Sequence, residues 1–386
     1  MDPKSFTKRS PGRLVHTPFG CSAFVPDKLP TKLELSMALE RANEAALLAL
    51  GELRAIIPGL PNPNLLTQPF MRREAVLSSK IEGTRTELEQ LYLFETEEKN
   101  GGNVVQEADD AREVHNYVRA LEHGLQRLSQ MPVCNRLIKE MHGILLEGVS
   151  DARGQYQSPG EFRQAQAYVG SSDIRAARYV APPEASVETL MGQLERFIND
   201  DKVRLPTLAK AAVIHYQFEA IHPFADGNGR VGRLLISVLL SAWKILAEPL
   251  LYLSAYFERN RTEYVTHLWE VSRDARWEEW ILFFLNGVAS ESADATARAK
   301  QLIALRERYR RELQQGKGTA SLLGLADKLF EWPVTDISEA ARTLDMTFKG
   351  GQKNIEKLVA GGILEELVGR ARNRLYVAKE IIGLLA

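Results

Sequence analysis

Cysteine is scarce, neither sign of charge is in excess, and no long apolar run occurs. Each absence excludes something. The 386 residues include two cysteines, Cys21 and Cys134. Two make no disulfide framework, and they fit a reducing cytoplasm, where each reads as an apolar filler. Lys and Arg number 49 against 50 Asp and Glu, a net charge of −1, so no global basic field points to nucleic acid or membrane surfaces. The longest apolar stretch, Leu234 to Leu246, is broken by Ser237, Ser241 and Lys244 and is too short to span a bilayer. The opening segment MDPKSFTKRSPGRLVH lacks the apolar run of a secretory signal. The expectation is a cytoplasmic protein with no membrane contact. What is present is ordinary for a globular protein: 45% hydrophobic and 26% charged residues, in a length that suggests two or three domains.

Residues 1–30 carry several Pro and Gly without helical period and read as an extended arm. Apolar residues at helical spacing then run from Leu33 to Leu53, up to a Pro58-Gly59 break. Pro69 reads as the start of a second helix and Gly83 as its end. Thr84 with Glu87 has the form of a capping box, and Gly101-Gly102 that of a hinge. Helices are expected over about 107–130 and 135–147. From Gly154 to Pro183 the character changes: Tyr168-Val169-Gly170 and Arg178-Tyr179-Val180 read as two short strands around Ser171, Ser172 and Asp173. Helices resume over about 184–200, 207–221, 230–246 and 261–287. The charged run Arg306 to Gln315, followed by Gly316 and Gly318 around Lys317, reads as a linker. Beyond it, a helix from Ala320, one capped by Thr335 or Asp336, one capped by Thr347, and strands at Ile363 to Val368 and Arg374 to Val377 follow the winged-helix order. The division expected is 1–105, 106–300, a linker 301–317, and 318–386.

The informative segment is His222-Pro223-Phe224-Ala225-Asp226-Gly227-Asn228-Gly229-Arg230-Val231-Gly232-Arg233. It follows one helix and opens another. A helix N-terminus offers free N–H groups and partial positive charge to a phosphate. Gly227 and Gly229 let the backbone approach it. Arg230 and Arg233, three apart, carry guanidinium forks suited to phosphate oxygens. Asp226 is suited to a Mg²⁺ that bridges phosphates, and His222 to general-base work near neutral pH. A Gly-Asn-Gly alone is usually a turn; the whole string assembles complementary roles around one polyphosphate.

HPFADGNGRVGR resembles the signature of Fic-domain proteins, His-x-Phe-x-Asp/Glu-Gly-Asn-Gly-Arg-x-x-Arg, at every fixed position. The resemblance implies a mainly α, Fic-type helical bundle with a small β-hairpin flap, joined here to a C-terminal winged-helix domain. It implies a protein nucleotidyltransferase that moves AMP from ATP to a Ser, Thr or Tyr hydroxyl of a target protein. On that reading His222 is the base and Asp226 holds Mg²⁺. The backbone of Gly227 to Gly229 and the amide of Asn228 form an anion hole, and Arg230 and Arg233 hold the β- and γ-phosphates. Phe224 anchors the loop.

Outside the motif, Gly160-Glu161-Phe162-Arg163 and the 168–180 hairpin resemble the family's flap, which adds a target strand by backbone pairing. Gln217 is a candidate for reaching nucleotide, whereas His215 and Glu219 read as packing groups. Tyr252 to Tyr256, through Asn260-Arg261 and Tyr264, resembles the family's adenosine-side wall, with Asn260 the single candidate for a nucleotide contact; Trp277 and Trp280 read as core. Ser78-Ser79-Lys80-Ile81-Glu82-Gly83 resembles the family's inhibitory motif, Ser/Thr-x-x-x-Glu-Gly/Asn, on a helix N-terminal to the core. The implied brake is Glu82 paired with Arg233, with Ser78, one turn earlier, fixing the carboxylate. In the C-terminal segment, wing residues Arg370, Arg372 and Arg374 and helix residues Lys349, Gln352, Lys353 and Asn354 could meet DNA phosphates. Interspersed Glu356, Glu365 and Glu366 favour target docking or a homodimer contact instead. Alternatives to AMP transfer are AMP removal at the same site and a nucleotide-sensing, DNA-binding regulator.

Overall fold

A computed structural model describes the chain except residues 35, 61, 100–108, 150–157, 247, 317 and 368–373. The expected Gly101-Gly102 hinge, Gly154, Lys317, and Arg370 and Arg372 of the expected wing lie outside the described residues. The described chain is mainly helical. The first strands are β1 (Gly12–His16) and β2 (Ser22–Pro26), followed by helices α1 (Met37–Ile56), α2 (Asn64–Ile81), α3 (Leu88–Lys99), α4 (Asp109–Arg127) and α5 (Asn135–Leu145). Strands β3 (Tyr168–Val169) and β4 (Tyr179–Val180) precede α6 (Glu184–Ile198), α7 (Thr207–Ile221), α8 (Asn228–Ala242), α9 (Ser254–Arg259), α10 (Arg261–Asp274) and α11 (Trp277–Gln315). The chain ends with α12 (Ala320–Glu331), β5 (Val334–Asp336), α13 (Ile337–Thr343), α14 (Phe348–Ala360), β6 (Glu365–Glu366), β7 (Leu375–Val377) and α15 (Lys379–Leu385).

Helices α7 and α8 form the centre. Nearly every residue of α7 is buried, as is most of α8, the pattern of helices covered on all sides rather than along one stripe. Around them, α4 packs on α5, α2 and α8, α6 on α7, and α11 along α1 and α7.

Several boundaries depart from expectation. Helix α2 starts at Asn64, where the Asn62 side chain accepts the Asn64 N–H at 3.0 Å, so Pro69 lies inside it. Thr84 and Glu87 make no capping box: α3 starts at Leu88, and the Gln90 side chain accepts the Glu87 N–H at 2.8 Å. Residues 1–30 are not a loose arm. Strands β1 and β2 pair antiparallel, Leu14 opposite Phe24, and Phe24 is fully buried against Phe6 and Tyr179. The helix expected over 261–287 is two, separated at Ala275, whose φ of 54° ends α10.

The expected linker is also corrected, because residues 301–315 are the last turns of the 39-residue α11. The charges at 306–315 lie on the outer side of the helix, where Arg306 and Arg310 pair with Asp327 and Arg308 with Glu380, while Leu302, Leu305, Tyr309 and Leu313 are buried. Beyond it, Thr319, Asp336 and Thr347 cap α12, α13 and α14 with their side chains. Strands β5, β7 and β6 form one antiparallel sheet in that order. This segment rests on the N-terminal helices: Trp332 donates to the Thr96 hydroxyl at 3.1 Å and packs edge-on to Tyr92, and Asn62 donates to Glu331 at 2.7 Å.

Candidate active site

The site forms where α7 ends and α8 begins. His222 is the residue after α7 and takes the left-handed conformation, φ 49° and ψ 61°, its N–H donating to the Phe218 carbonyl at 3.0 Å. A non-glycine residue rarely adopts this conformation, and such residues concentrate at functional sites. It turns the chain sharply enough for α8 to start six residues later. The imidazole bonds to the Glu219 carbonyl. A carbonyl only accepts, so that ring nitrogen is the protonated one and the other is the acceptor. Burial first, and the Arg163 charge second, push the His222 pKa down to about 4, against smaller opposing effects of the Glu219 carbonyl, Glu82 and Asp226. The ring is therefore neutral and able to take a proton at pH 7.

The turn itself is built from the motif. Phe224 is fully buried, stacked on His142 with ring centroids 3.7 Å apart. Asn228 closes the loop: its side-chain oxygen accepts the Phe224 N–H at 2.8 Å and its amide donates to the Phe224 carbonyl at 2.9 Å. Its side chain is thus committed inside the loop rather than to an anion hole, while its backbone N–H lies in the first turn of α8, where N–H groups lack partners within the helix. Gly227 has φ 76°, which favours glycine. A methyl at Gly229 would collide with the Glu82 carboxylate and press on the Arg233 guanidinium. Asp226 is partly exposed and accepts the Gly227 N–H at 2.6 Å.

The two motif arginines separate. Arg233 is buried; its Nε donates to the Ser78 hydroxyl at 2.8 Å, and one terminal nitrogen donates to the Ser78 carbonyl at 2.9 Å and the Glu82 carboxylate at 2.7 Å. Burial opposes its charge, but the Glu82 charge prevails and holds the Arg233 pKa above its usual range. Burial likewise opposes the Glu82 charge, and Arg233 prevails, holding that pKa below the usual carboxylate range. Ser78 thus fixes the arginine rather than the carboxylate. Arg230, expected on phosphate, pairs instead with Glu113 of α4 at 2.6 Å, both side chains almost wholly buried. Its second acidic neighbour, Asp226, is 3.7 Å away.

Two expected nucleotide contacts point elsewhere. Gln217 donates to the Asp27 carbonyl at 2.9 Å, because its face of α7 meets the segment after β2. Asn260 donates to the Tyr256 carbonyl at 2.9 Å, within the α9 to α10 junction. His215 is a packing group, bonded to the Gly232 carbonyl at 3.1 Å and the Tyr264 hydroxyl at 2.7 Å. Trp280 is core and donates to the Ala212 carbonyl at 2.9 Å.

Beside the motif lies a cleft of about 440 Å³ walled by His222, Gly229, Arg233, Glu82 and Glu219 on one side, Val169 and Gly170 of the β3 end, and Arg261, Tyr264 and Trp269 of α10. Two further residues matter here, Arg261 from the expected adenosine-side wall and His142, which sequence reasoning missed. Arg261 donates to the Ile81 carbonyl at 3.2 Å, tying α10 to the end of α2. His142 accepts the Gly160 N–H at 2.9 Å, so its other nitrogen carries the proton and donates to the Asp226 carbonyl at 3.2 Å. No local signal at His142 announces this.

The sequence matches the Fic/DOC family N-terminal region over residues 39–126 and the Fic/DOC family over residues 132–240, together about half the chain. The chain belongs to the Fic/DOC family. Among curated relatives, Protein adenylyltransferase Fic of Drosophila melanogaster is 38% identical over 104 residues, 27% of this chain and 19% of the relative. That of Aedes aegypti is 38% identical over 104 residues, 27% of this chain and 18% of the relative. The match thus spans about a fifth of the length of these relatives. Among solved structures, a Fic family protein from Desulfovibrio desulfuricans superposes with a TM-score of 0.56 at 19% identity, covering 90% of this chain and 97% of its own. A Fic domain containing signaling protein from Bacteroides thetaiotaomicron gives 0.53 at 21% identity, covering 67% and 96%. These two share the fold. Among the described residues no helix is long and apolar enough to cross a membrane.

Proposed function

We propose that the chain is a protein adenylyltransferase that moves AMP from ATP to a Ser, Thr or Tyr hydroxyl of a target protein, and that Glu82 restrains it. The observation that carries this reading is the cleft in which the neutral His222, the start of α8 and Arg233 share one wall while the end of β3 forms another. The free nitrogen of His222 takes the hydroxyl proton. The oxygen then bonds to the α-phosphorus, and the bond to pyrophosphate breaks, its electron pair leaving with pyrophosphate. The backbone N–H groups at the start of α8 and the Arg233 guanidinium balance the phosphate charge. Tyr168 and Val169 are exposed, which suits a strand that receives an extended target segment by backbone pairing.

Asp226, partly exposed at the head of the phosphate cradle, fits a magnesium ion carried in with the triphosphate, because that ion takes one or two carboxylates together with substrate phosphates. When bound, such an ion offsets charge on the leaving pyrophosphate. Glu82 occupies the guanidinium that a γ-phosphate would need, and autoinhibition follows from that competition. Residues 318–386 are read as a winged-helix module for target docking or a homodimer contact rather than DNA, a reading supported by three capped helices followed by the β6–β7 pair and by the acidic Glu356, Glu365 and Glu366 among its basic residues.

The experiment is incubation with α-labelled ATP. Label should enter protein with the Glu82→Gly variant, disappear with Glu82→Gly/His222→Ala, and require divalent metal. The loss of a general base is expected to cost about 10²–10⁴-fold. Labelling by the His222→Ala form at the parent rate, or undiminished in excess chelator, would overturn the reading.

A further inference from the structure

Helix α7 ends with carbonyls that have no partner within the helix, and the next residues turn through the His222 loop. Those acceptors are taken up by the hairpin segment. The Tyr179 hydroxyl, on β4, donates to the Ala220 carbonyl at 2.6 Å. Arg163, between α5 and β3, takes the next three carbonyls: its guanidinium donates to Ile221 at 3.4 Å and to His222 at 2.8 Å, and its backbone N–H donates to Pro223 at 2.9 Å. The same guanidinium donates to the Ala165 carbonyl at 2.8 Å and the Pro182 carbonyl at 2.6 Å. Ala165 and Pro182 are the two feet of the hairpin.

Arg163 is buried, and among the described residues no carboxylate pairs with it. Among the described residues its hydrogen bonds all go to carbonyls, with the Glu184 charge acting on it only at a distance; a buried charge held in this way is costly to retain, so the selection of a guanidinium here calls for a geometric reason. A planar fork with five donors can join four carbonyls from two segments; an ammonium cannot span them in fixed geometry.

We propose that Arg163 is a positioning residue for the transfer step, tying the backbone of His222 to both feet of the β3–β4 hairpin so that the base and the strand receiving the target keep one spacing. This rests on the adenylyltransferase reading. The left-handed conformation of His222 is what the tie preserves. Releasing it lets the imidazole and β3 drift apart without touching Arg233 or the start of α8, where the triphosphate would lie. Displacement of about 1 Å in a reacting group is enough to cost roughly a hundredfold in rate.

The test uses the full chain in the Glu82→Gly background. Arg163→Ala should lower the maximal labelling rate roughly a hundredfold while KM for ATP, and ATP affinity by titration, stay at the parent's values. Guanidinium ion added to Arg163→Ala should restore part of the rate; Arg163→Lys, which keeps the charge but not the fork, should remain slow. Hydrogen exchange supplies a readout independent of labelling. Arg163→Ala should expose amides at 165–182 and at 221–224 together, and guanidinium should protect both. If Arg163→Ala folds poorly, the rate-against-KM comparison and the exchange comparison are made on Arg163→Lys. Unchanged labelling rate with unchanged exchange overturns the proposal, as does a parallel loss of ATP affinity. A parent that labels nothing defeats the adenylyltransferase reading alone, and the exchange result then decides whether Arg163 makes the tie.

Discussion

Arg230 and Arg233 lie three residues apart on α8, each facing a glutamate from another helix at almost the same distance, 2.6 Å for Glu113 and 2.7 Å for Glu82. The glutamates differ in surroundings. Glu113 is 1% exposed, Glu82 37%. The first pair is sealed on both sides, and nothing from solvent can replace either partner. The second is open at the carboxylate end to the cleft, and an anion arriving there competes for the same guanidinium. On the proposed function, the same chemistry therefore gives a structural tie in one place and a displaceable contact in the other. Burial, not distance, separates them.

Breaking the sealed pair should have the largest effect. Glu113→Ala leaves Arg230 buried without its partner, which typically costs about 3–5 kcal/mol. Chemical denaturation should show that loss, with Glu113→Gln retaining part of the stability through its remaining acceptor. A loss under about 1 kcal/mol would mean that Arg230 readily finds another partner, and the proposed contrast would fail.

Breaking the open pair should cost the fold less than breaking the sealed one, because the Glu82 carboxylate reaches solvent and Arg233 keeps the Ser78 hydroxyl and carbonyl as acceptors. Its effect is on activity and is a gain. A charge-assisted contact of about 1.5–3 kcal/mol corresponds to roughly ten- to a hundredfold more labelling in Glu82→Gly. Adding Arg233→Ala should remove the gain, because the freed arginine is the agent of activation. Labelling below the unmodified chain by a folded Glu82→Gly would make the carboxylate a participant in the chemistry.

Only part of this contrast is legible in the sequence. The motif is contiguous, so His222, Asp226 and the start of α8 can be assigned roles from spacing alone. Ser78 and Glu82 can be paired because helical residues four apart share a face. The separation of the two arginines is not legible. Three residues advance a helix by 300°, leaving the side chains about 60° apart, and which neighbour stands on each side depends on the packing of α2 and α4. Glu113 is 117 residues from Arg230 in sequence, and the carbonyls held by Arg163 carry no side-chain signature at all. The directions of the Gln217 and Asn260 side chains are not legible for the related reason that proximity to a motif says nothing about where a side chain points. The charged run at 306–315 reads as a linker because a charged helix face and a loop have similar composition; the spacing of Leu302, Leu305, Tyr309 and Leu313 is the signal that separates them.

The open pair can also be examined by pH. The Glu82 pKa is held below its ordinary value by Arg233, against the pull of burial. A depressed carboxylate contributes stability that is complete above the unfolded value, about 4.3, and is lost as pH falls through the folded value. The stability difference between the unmodified chain and Glu82→Gln should therefore stay flat from pH 8 to 6 and shrink below about pH 4.3. Labelling by the unmodified chain should show no acid-induced release over the same neutral range. A rise between pH 8 and 6 that is absent in Glu82→Gln would place the titration of Glu82 near neutrality and reverse the sign of the shift.

The smallest effect expected is that of Ser78→Ala, which loosens the open pair without removing its charge. The Ser78 hydroxyl is fully buried and accepts the Arg233 Nε–H, while the Ser78 carbonyl and Glu82 share a terminal nitrogen. Removing the hydroxyl takes away one of three ties that hold the guanidinium toward α2. The carboxylate and the carbonyl remain, so restraint is weakened rather than abolished. A hydrogen bond of this kind contributes about 0.5–1.5 kcal/mol net, so labelling should rise by roughly two- to tenfold, short of Glu82→Gly. The same substitution in the Glu82→Gly background separates two possibilities. If Ser78 acts by holding Arg233 against nucleotide, Ser78→Ala adds a further, smaller gain there, because the carbonyl alone still draws the arginine toward α2. If the hydroxyl supports Arg233 equally in the inhibited and the active arrangements, the substitution leaves labelling unchanged in both backgrounds, and the restraint resides in the carboxylate alone.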